Sequence, residues 1–406
     1  MNYISIPETA VQVCAASWYL TTRKLIVISS EFQHIMKLIL WMAVLLVKPC
    51  FGSLGDQLDE FQDCVTKCRY LTCPYTEELQ LPSDNVLSRW YDEEEEQPLF
   101  DKQPLALTLR LLGWGCPDNC DYRCQRLITV QRQQLGDEVY QFHGKWPFIR
   151  VFGIQELFST IFSILNFFPH YHGFRLMLAH YRQDRFSGSK FANQYFAYGI
   201  VGLVAMFAWI FSTIFHLRDT WDRERLDYFF AGATVLSGLY GITVRVFELY
   251  EPQNNTKRRA FGLLVVLMYI GHVARLLVDW SYTYNMEANV LVGLVQYVLW
   301  IYHAINSFQI YRQRASKVLP AFRGSKNGSN QLKADLLNKD VNWTLIPLLL
   351  VASVSFGMSF ELFDFAPFFD LVDAHALWHF VTIWPAWYWY DYMVQDVENL
   401  KLIKSD

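Results

Sequence analysis

Three histidines, a serine and an aspartate in this chain sit where long apolar runs begin or end. Ser212 and His216 lie in Ser212-Thr213-Ile214-Phe215-His216-Leu217-Arg218-Asp219. His375 and His379 lie in His375-Ala376-Leu377-Trp378-His379, and Asp227 opens another apolar run. A spacing of four residues puts both members of each pair on one helical face. Ionisable groups in apolar helices are costly and mark function more often than packing. Three imidazoles with a fourth position open describe a catalytic zinc site, where a bound water has its pKa lowered to about 7. In such a site Asp227 would accept the proton of the water or orient it. Ser212 would donate a hydrogen bond to the developing oxyanion, and Asp219 would support a ligand from outside. A site of this kind, open to one leaflet, suits a lipid ester or amide. The competing view is that a lone membrane histidine packs or bridges helices. His272 and His303 are read that way, because neither has a partner at matching depth. Glu156 and Glu361 are buried-acid candidates, with Glu361 a candidate outer partner of the metal ligands.

These residues need helices to bring them to one depth. The chain has 406 residues, 52% hydrophobic, 17% aromatic and 18% charged, with a net charge of -4. That balance argues against nucleic acid as a partner and for an all-α polytopic membrane protein. Seven apolar segments near 148–168, 193–217, 226–247, 261–280, 288–309, 343–363 and 373–393 are each long enough to cross a bilayer as a helix. Basic residues gather in alternate loops: Arg175, Arg182, Arg185 and Lys190 in 169–190; Lys257, Arg258 and Arg259 in 248–260; and Arg312, Arg314, Lys317, Arg323, Lys326 and Lys333 in 310–340. The positive-inside rule makes that side cytosolic. His216, Asp227, His375 and His379 then meet near the lumenal leaflet, although the charge pattern was read without them. His170, His172 and His180 fall in a cytosolic loop, away from the site. The sequons at Asn254, Asn327 and Asn342 lie on the cytosolic side and are expected to be unused.

The polar N-terminal part reads differently. Residues 1–35 are an upstream extension without an assigned role. Residues 36–53 combine Lys37, a short apolar core and small residues at Gly52 and Ser53, which reads as a signal peptide. Residues 54–147 hold six of the eight cysteines, Cys64, Cys68, Cys73, Cys116, Cys120 and Cys124. An even cysteine count after a signal peptide reads as disulfides. The C-x3-C spacings would let two antiparallel helices be stapled, with the nested pairing 64–124, 68–120 and 73–116 expected among several connectivities. Zinc binding by these thiols is the weaker alternative. The acidic run Asp92–Glu96 reads as a solvated loop. The organisation expected is a small disulfide-rich lumenal domain, a seven-transmembrane-helix bundle over 148–393 and a cytosolic tail over 394–406.

The Ser212-x3-His216 pair, Asp227 and the terminal His375-x3-His379 pair resemble the CREST superfamily of membrane hydrolases, which includes alkaline ceramidases and the progestin/adipoQ receptors. Within it the chain resembles the Per1-like family, the post-GPI-attachment-to-proteins factor 3 group. The resemblance rests on Phe142-His143-Gly144-Lys145-Trp146-Pro147-Phe148, Gln155-Glu156, Phe215-His216-Leu217-Arg218-Asp219-Thr220, Arg225-Leu226-Asp227-Tyr228-Phe229 and the six cysteines, and it runs from about residue 54 to the C-terminus. It implies removal of the sn-2 acyl chain from the phosphatidylinositol of GPI-anchored proteins in the endoplasmic reticulum or Golgi, giving lyso-GPI. It also implies Zn2+ on His216, His375 and His379, with Ser212 and Asp227 as catalytic residues and GPI-anchored proteins with their lipid moiety as partners. A ceramidase-like amidase and a non-enzymatic seven-span receptor or folding cofactor with structural zinc are the alternatives.

Overall fold

The computed structural model describes residues 53–74, 100, 104–322 and 341–404. The upstream extension, all but the last residue of the signal segment, the acidic run and Asn327 lie outside them. The described residues form ten α-helices joined by turns and short 3-10 segments.

The first three helices are α1 (Asp59–Thr72), α2 (Leu107–Leu111) and α3 (Cys116–Leu135). Phe61, Val65 and Cys68 recur at helical spacing on α1 and face Cys120, Cys124 and Ile128 of α3, forming a small buried core closed by Phe142. Three disulfides cross that seam: Cys64–Cys124, Cys68–Cys120 and Cys73–Cys116, with Cα separations of 5.8, 5.6 and 5.6 Å. This is the nested pairing that the spacings led us to expect. Cys73, Cys116 and Cys120 cluster closely enough to resemble a metal site, but every one of these sulfurs is already in a disulfide, so thiolate ligation is excluded. The pairs close loops of 43 to 60 residues, each of which would contribute about 4 kcal/mol if it acted alone. At the start of α3 the Gly115 N–H donates to Asp118 Oδ2 at 2.8 Å. Gly136 ends the helix with φ 77°, a left-handed position that glycine adopts without a Cβ clash.

Two tight turns then lead to the membrane helices. In the first, Phe142 and Lys145 exchange backbone hydrogen bonds of 2.8 and 2.9 Å around His143 and Gly144, both at positive φ. The second repeats the arrangement, with Val151 and Ile154 around Phe152 and Gly153. Positive φ at both central residues defines the type I′ turn. The segment 148–156 is therefore folded back on itself. This corrects the first expected span: its helix begins at Leu157, not near 148, and continues to Phe186.

The remaining helices are α4 (Leu157–Phe186), α5 (Ala192–Leu217), α6 (Trp221–Val246), α7 (Asn255–Val278), α8 (Tyr282–Phe322), α9 (Ile346–Phe363) and α10 (Ala374–Lys404). Among the described residues, five stretches are long and apolar enough to cross a membrane: Ala192–Leu217, Trp221–Val246, Pro252–Val278, Tyr282–Arg314 and Val341–Phe363. Helices α4 and α10, whose apolar residues are interspersed with histidine, tyrosine and proline, pack against each other and against α5 and α9. Small residues permit the closest approaches. A Cβ on Gly173 would stand 2.3 Å from the Tyr390 ring, and one on Gly202 would stand 3.0 Å from the Phe174 backbone.

Two further expectations change with these bounds. His170, His172 and His180 sit on α4 rather than in a loop, and His170 is hydrogen-bonded to the Tyr390 hydroxyl at 2.8 Å. The stretch expected as a tail from 394 is the continuation of α10 to Lys404. Its Lys401 pairs with Asp184, and its Lys404 with Glu248 and Glu251. Both helices outlast their apolar cores because charged side chains at one end of the bundle satisfy one another.

Candidate metal centre

The end of α5, the start of α10, the start of α4 and the end of α9 converge at the end of the bundle that carries the disulfide-bonded helices. His216 occupies the last turn of α5, and His375 and His379 occupy the first turns of α10. Asp373 precedes α10 and accepts the Ala376 N–H at 2.8 Å. Such a cap satisfies an orphan donor and fixes the entry of the helix. The three rings lie 5.1, 5.0 and 4.4 Å apart, centroid to centroid. One nitrogen from each lies within 4.8 Å of the others.

Each imidazole is held from behind at Nδ1. His216 Nδ1 meets Glu156 Oε2 at 2.7 Å, and His375 Nδ1 meets Glu361 Oε2 at 2.6 Å. His379 Nδ1 meets the Ser163 hydroxyl at 3.0 Å. Ser163 in turn donates to the Ser159 carbonyl at 2.7 Å and lies 3.0 Å from the Ser212 hydroxyl. Asn166 donates to the His379 carbonyl at 2.7 Å, which fixes the backbone behind the ring. With Nδ1 engaged on all three rings, Nε2 is the atom left to face the shared space. His216 is only 1% exposed, and its Nε2 is buried with no hydrogen-bond partner.

That orphaned nitrogen is the test of whether a metal fits. A buried polar atom without a partner is uncommon and calls for a missing group. A neutral imidazole whose Nδ1–H donates to a carboxylate or hydroxyl presents Nε2 as a lone pair, the form that metal ligation requires. The spacing allows one ion to reach all three nitrogens after small side-chain adjustments. The residues present therefore fit a metal held by His216, His375 and His379.

Glu156 connects the centre to the first tight turn. Its backbone N–H donates to the His216 carbonyl at 3.1 Å, so the start of α4 and the end of α5 are bonded by main chain as well as by side chain. Its other oxygen, Oε1, accepts from Lys145 Nζ at 2.5 Å. Lys145 also lies 3.3 Å from Asp219 Oδ2 and 3.8 Å over the Phe215 ring. Burial opposes the lysine charge, but Glu156 and Asp219 outweigh it and hold the ammonium above the ordinary lysine pKa. Glu361 is held in the same manner, its Oε1 accepting from the Tyr282 hydroxyl at 2.9 Å.

The other residues singled out in the sequence fall as follows. Asp227 is half-buried on α6, within electrostatic reach of His375, Lys145 and Glu156, and has no hydrogen bond among the described residues. Ser212 is buried at the site, bonded to Ser163. Asp219 pairs with Lys145 at 3.3 Å, and its backbone N–H donates to Gln155 Oε1 at 2.8 Å. His272 and His303 lie elsewhere in the bundle. Sequence reasoning missed Lys145, Ser159, Ser163 and Asn166. The last three form a polar stripe at helical spacing on one face of α4, a signal readable beside an apolar segment. Lys145 stood inside a noted motif but had no partner until the turn folded.

The disulfide-bonded helices cover this end of the bundle. Arg126 of α3 donates to the Pro147 carbonyl and pairs with Asp370 at 2.8 Å. Arg218 pairs with Asp118 at 2.7 Å, and Trp114 Nε1 donates to the Gly153 carbonyl at 2.9 Å.

Comparison with known proteins follows the same outline. The family model described as the Per1-like family matches residues 106–397. Protein PER1 of Saccharomyces cerevisiae is 40% identical over 361 residues, covering 87% of this chain and 96% of the relative. The PER1 homolog of Schizosaccharomyces pombe is 35% identical over 360 residues, 88% and 91% of the two chains. The mouse protein named GPI-specific phospholipase A2-like PGAP3 is 34% identical over 333 residues, 82% and 85% of the two chains. No solved structure matches.

Proposed function

The chain belongs to the Per1-like family, and we propose that it remodels GPI anchors by hydrolysing the sn-2 acyl ester of their phosphatidylinositol, leaving lyso-GPI. The observation that carries this reading is the convergence of three histidines whose Nδ1 atoms are all held from behind. The name of the mouse relative, GPI-specific phospholipase A2-like, gives the substrate class.

A zinc ion on His216, His375 and His379 would act as a Lewis acid and lower the pKa of a bound water to about 7. Around it, the chain's own residues have separate tasks. Glu156, Glu361 and Ser163 fix the tautomer and the tilt of each ring. Asp227, free of other hydrogen bonds, takes the proton of the attacking water and returns it to the departing sn-2 oxygen of the lyso-lipid. Ser212 stabilises the negative charge on the carbonyl oxygen. Its hydroxyl bonds Ser163 in the resting state and turns to the substrate by rotation about one single bond. Water adds to the ester carbonyl, the acyl carbon–oxygen bond breaks, and a fatty acid and lyso-GPI leave.

Helices α4 and α10 belong with the five apolar stretches in a seven-span bundle, because they pack among those helices and carry Ser163, which holds one ring, and two of the three histidines. Basic residues towards the helix ends on one side and disulfides on the other support an orientation with the cysteine-rich domain over residues 54–147 in the lumen of the endoplasmic reticulum or Golgi and the C-terminus in the cytosol. In that orientation the site would lie in the leaflet where GPI lipids reside. Lipid mass spectrometry of a GPI-anchored reporter tests the function in cells lacking this protein. Wild type should restore the remodelled sn-2 species and His379→Ala at matched levels should not; equal restoration by both would refute the reading.

A further inference from the structure

Glu156 and Glu361 divide their two oxygens in the same way: Oε2 goes to a histidine and Oε1 to a second donor. The two donors come from very different places. Tyr282 is the first residue of α8, at the end of the bundle and 46% exposed. Lys145 belongs to the tight turn before α4, and that turn is built into the disulfide-bonded domain. Phe142 packs on Phe61 at 4.7 Å between ring centroids, and Gly55 N–H donates to the Gln141 carbonyl at 3.1 Å. The His143 N–H donates to Asp56 at 2.9 Å and the Gly144 N–H to the Ser53 hydroxyl at 2.6 Å. One side of the turn is thus fixed to the start of α1, and the other reaches through Lys145 to a glutamate that is 4% exposed.

We propose that Lys145 is a positioning residue through which the disulfide-bonded domain completes the metal centre. By occupying Glu156 Oε1 it leaves Oε2 aimed at His216 Nδ1, and so turns the His216 Nε2 lone pair towards the ion. Asp219 and the Phe215 ring hold the ammonium in place. The histidine tethered by this chain is the most enclosed of the three, at 1% exposure, so water cannot substitute for a lost partner. His375, 33% exposed, has that recourse. Loss of Lys145 should therefore weaken the site more than loss of the Tyr282 hydroxyl. The inference rests on the zinc reading above and adds a dependence of metal affinity on the domain outside the membrane.

The test is a zinc titration of the purified full-length protein in buffered free zinc, with bound metal read by elemental analysis. Partners that orient a metal-bound histidine are worth about 10–100-fold in affinity. Lys145→Met should shift half-occupancy to about 10–100-fold higher free zinc, Lys145→Arg should recover part of the shift, and Tyr282→Phe should shift it less. Intact disulfides and a monodisperse elution profile show that the variants are folded. Lys145→Met leaves Glu156 buried without its cation and could fail to fold, so the double variant Lys145→Met with Glu156→Gln accompanies it. If Lys145 acts through Glu156, the double variant binds zinc as weakly as Glu156→Gln alone. Wild-type affinity in Lys145→Met, or a double variant whose shift is the product of the two single shifts, overturns the proposal. A wild-type chain that takes up no zinc overturns the zinc reading and this inference with it, and the two failures are thereby told apart.

Discussion

Two clusters of ionisable side chains are buried in the bundle, one at each end, and they are built in opposite senses. At the disulfide end, three imidazoles point inward and carboxylates stand behind two of them. At the other end a carboxylate is central: Asp396 takes Arg245 Nε and Nη2 at 2.5 and 3.0 Å, with His303 Nε2 3.4 Å away. The second cluster pairs its carboxylate with a guanidinium, which offers only donors and cannot bind a metal. The first leaves lone pairs facing a common point. The difference shows that burial of charge does not by itself mark a site. What marks it is the direction in which the unused atoms face.

This contrast is sharpest under mutation. His216→Ala or His379→Ala should bring acyl release to background while the disulfides and the folded bundle persist, as measured by fatty acid released per folded molecule. Asp396→Asn should do the reverse. It leaves Arg245 buried without its partner and costs about 3–5 kcal/mol of stability, read from thermal unfolding, with activity per folded molecule close to wild type. Replacing both members, Arg245→Met with Asp396→Leu, should restore much of that stability, since a buried ion pair often contributes little over apolar residues of similar volume. If activity falls instead with Asp396, the separation of the two clusters fails.

Within the metal centre, Glu361→Gln should lower zinc affinity or turnover by about 10–100-fold. The effect should lie towards the lower end, because His375 reaches solvent; an effect equal to loss of His375 itself would make Glu361 a ligand rather than a support.

The candidate ligands were legible in the sequence because their spacing is local. Four-residue steps place Ser212 with His216 and His375 with His379 whatever the rest of the chain does. The cysteine pairing was only partly legible: C-x3-C on two helices suggested a nested staple among fifteen connectivities, and the packing of α1 on α3 decides it. The supports were less legible. Glu361 was suspected, but the partner of Glu156 depends on a turn whose two central residues both take positive φ, and His143 does not announce that conformation as glycine does. The start of α4 was misplaced on the same account, since the apolar residues Phe148, Ile149, Val151, Phe152 and Ile154 mimic a span while forming turns. Its end and that of α10 were misplaced because hydropathy stops where charge begins, whereas a helix capped by mutual ion pairs continues.

The smallest expected effect concerns the turn itself. His143 Nε2 lies 2.9 Å from Asp121 Oδ2, and Asp121 followed by Asp56 raises the imidazole pKa above 6.5 against its partial burial. A raised folded-state value means that this stabilisation is complete below 6.5, the ordinary value, and is lost as pH rises through the folded one. Unfolding temperature of the wild type should therefore carry a component that declines with pH above 6.5. His143→Asn, which tolerates the left-handed backbone, should remove that component. An unchanged pH profile in the variant would show that the turn is held by its backbone contacts alone.

The central claim is that the cluster at the disulfide end does the chemistry and the one at the far end only holds the bundle. Acyl release from a purified GPI lipid, normalised to folded protein, measures this directly in His379→Ala beside Asp396→Asn. The account predicts loss of release in His379→Ala alone. Full release by His379→Ala, or equal loss in both variants, would contradict it.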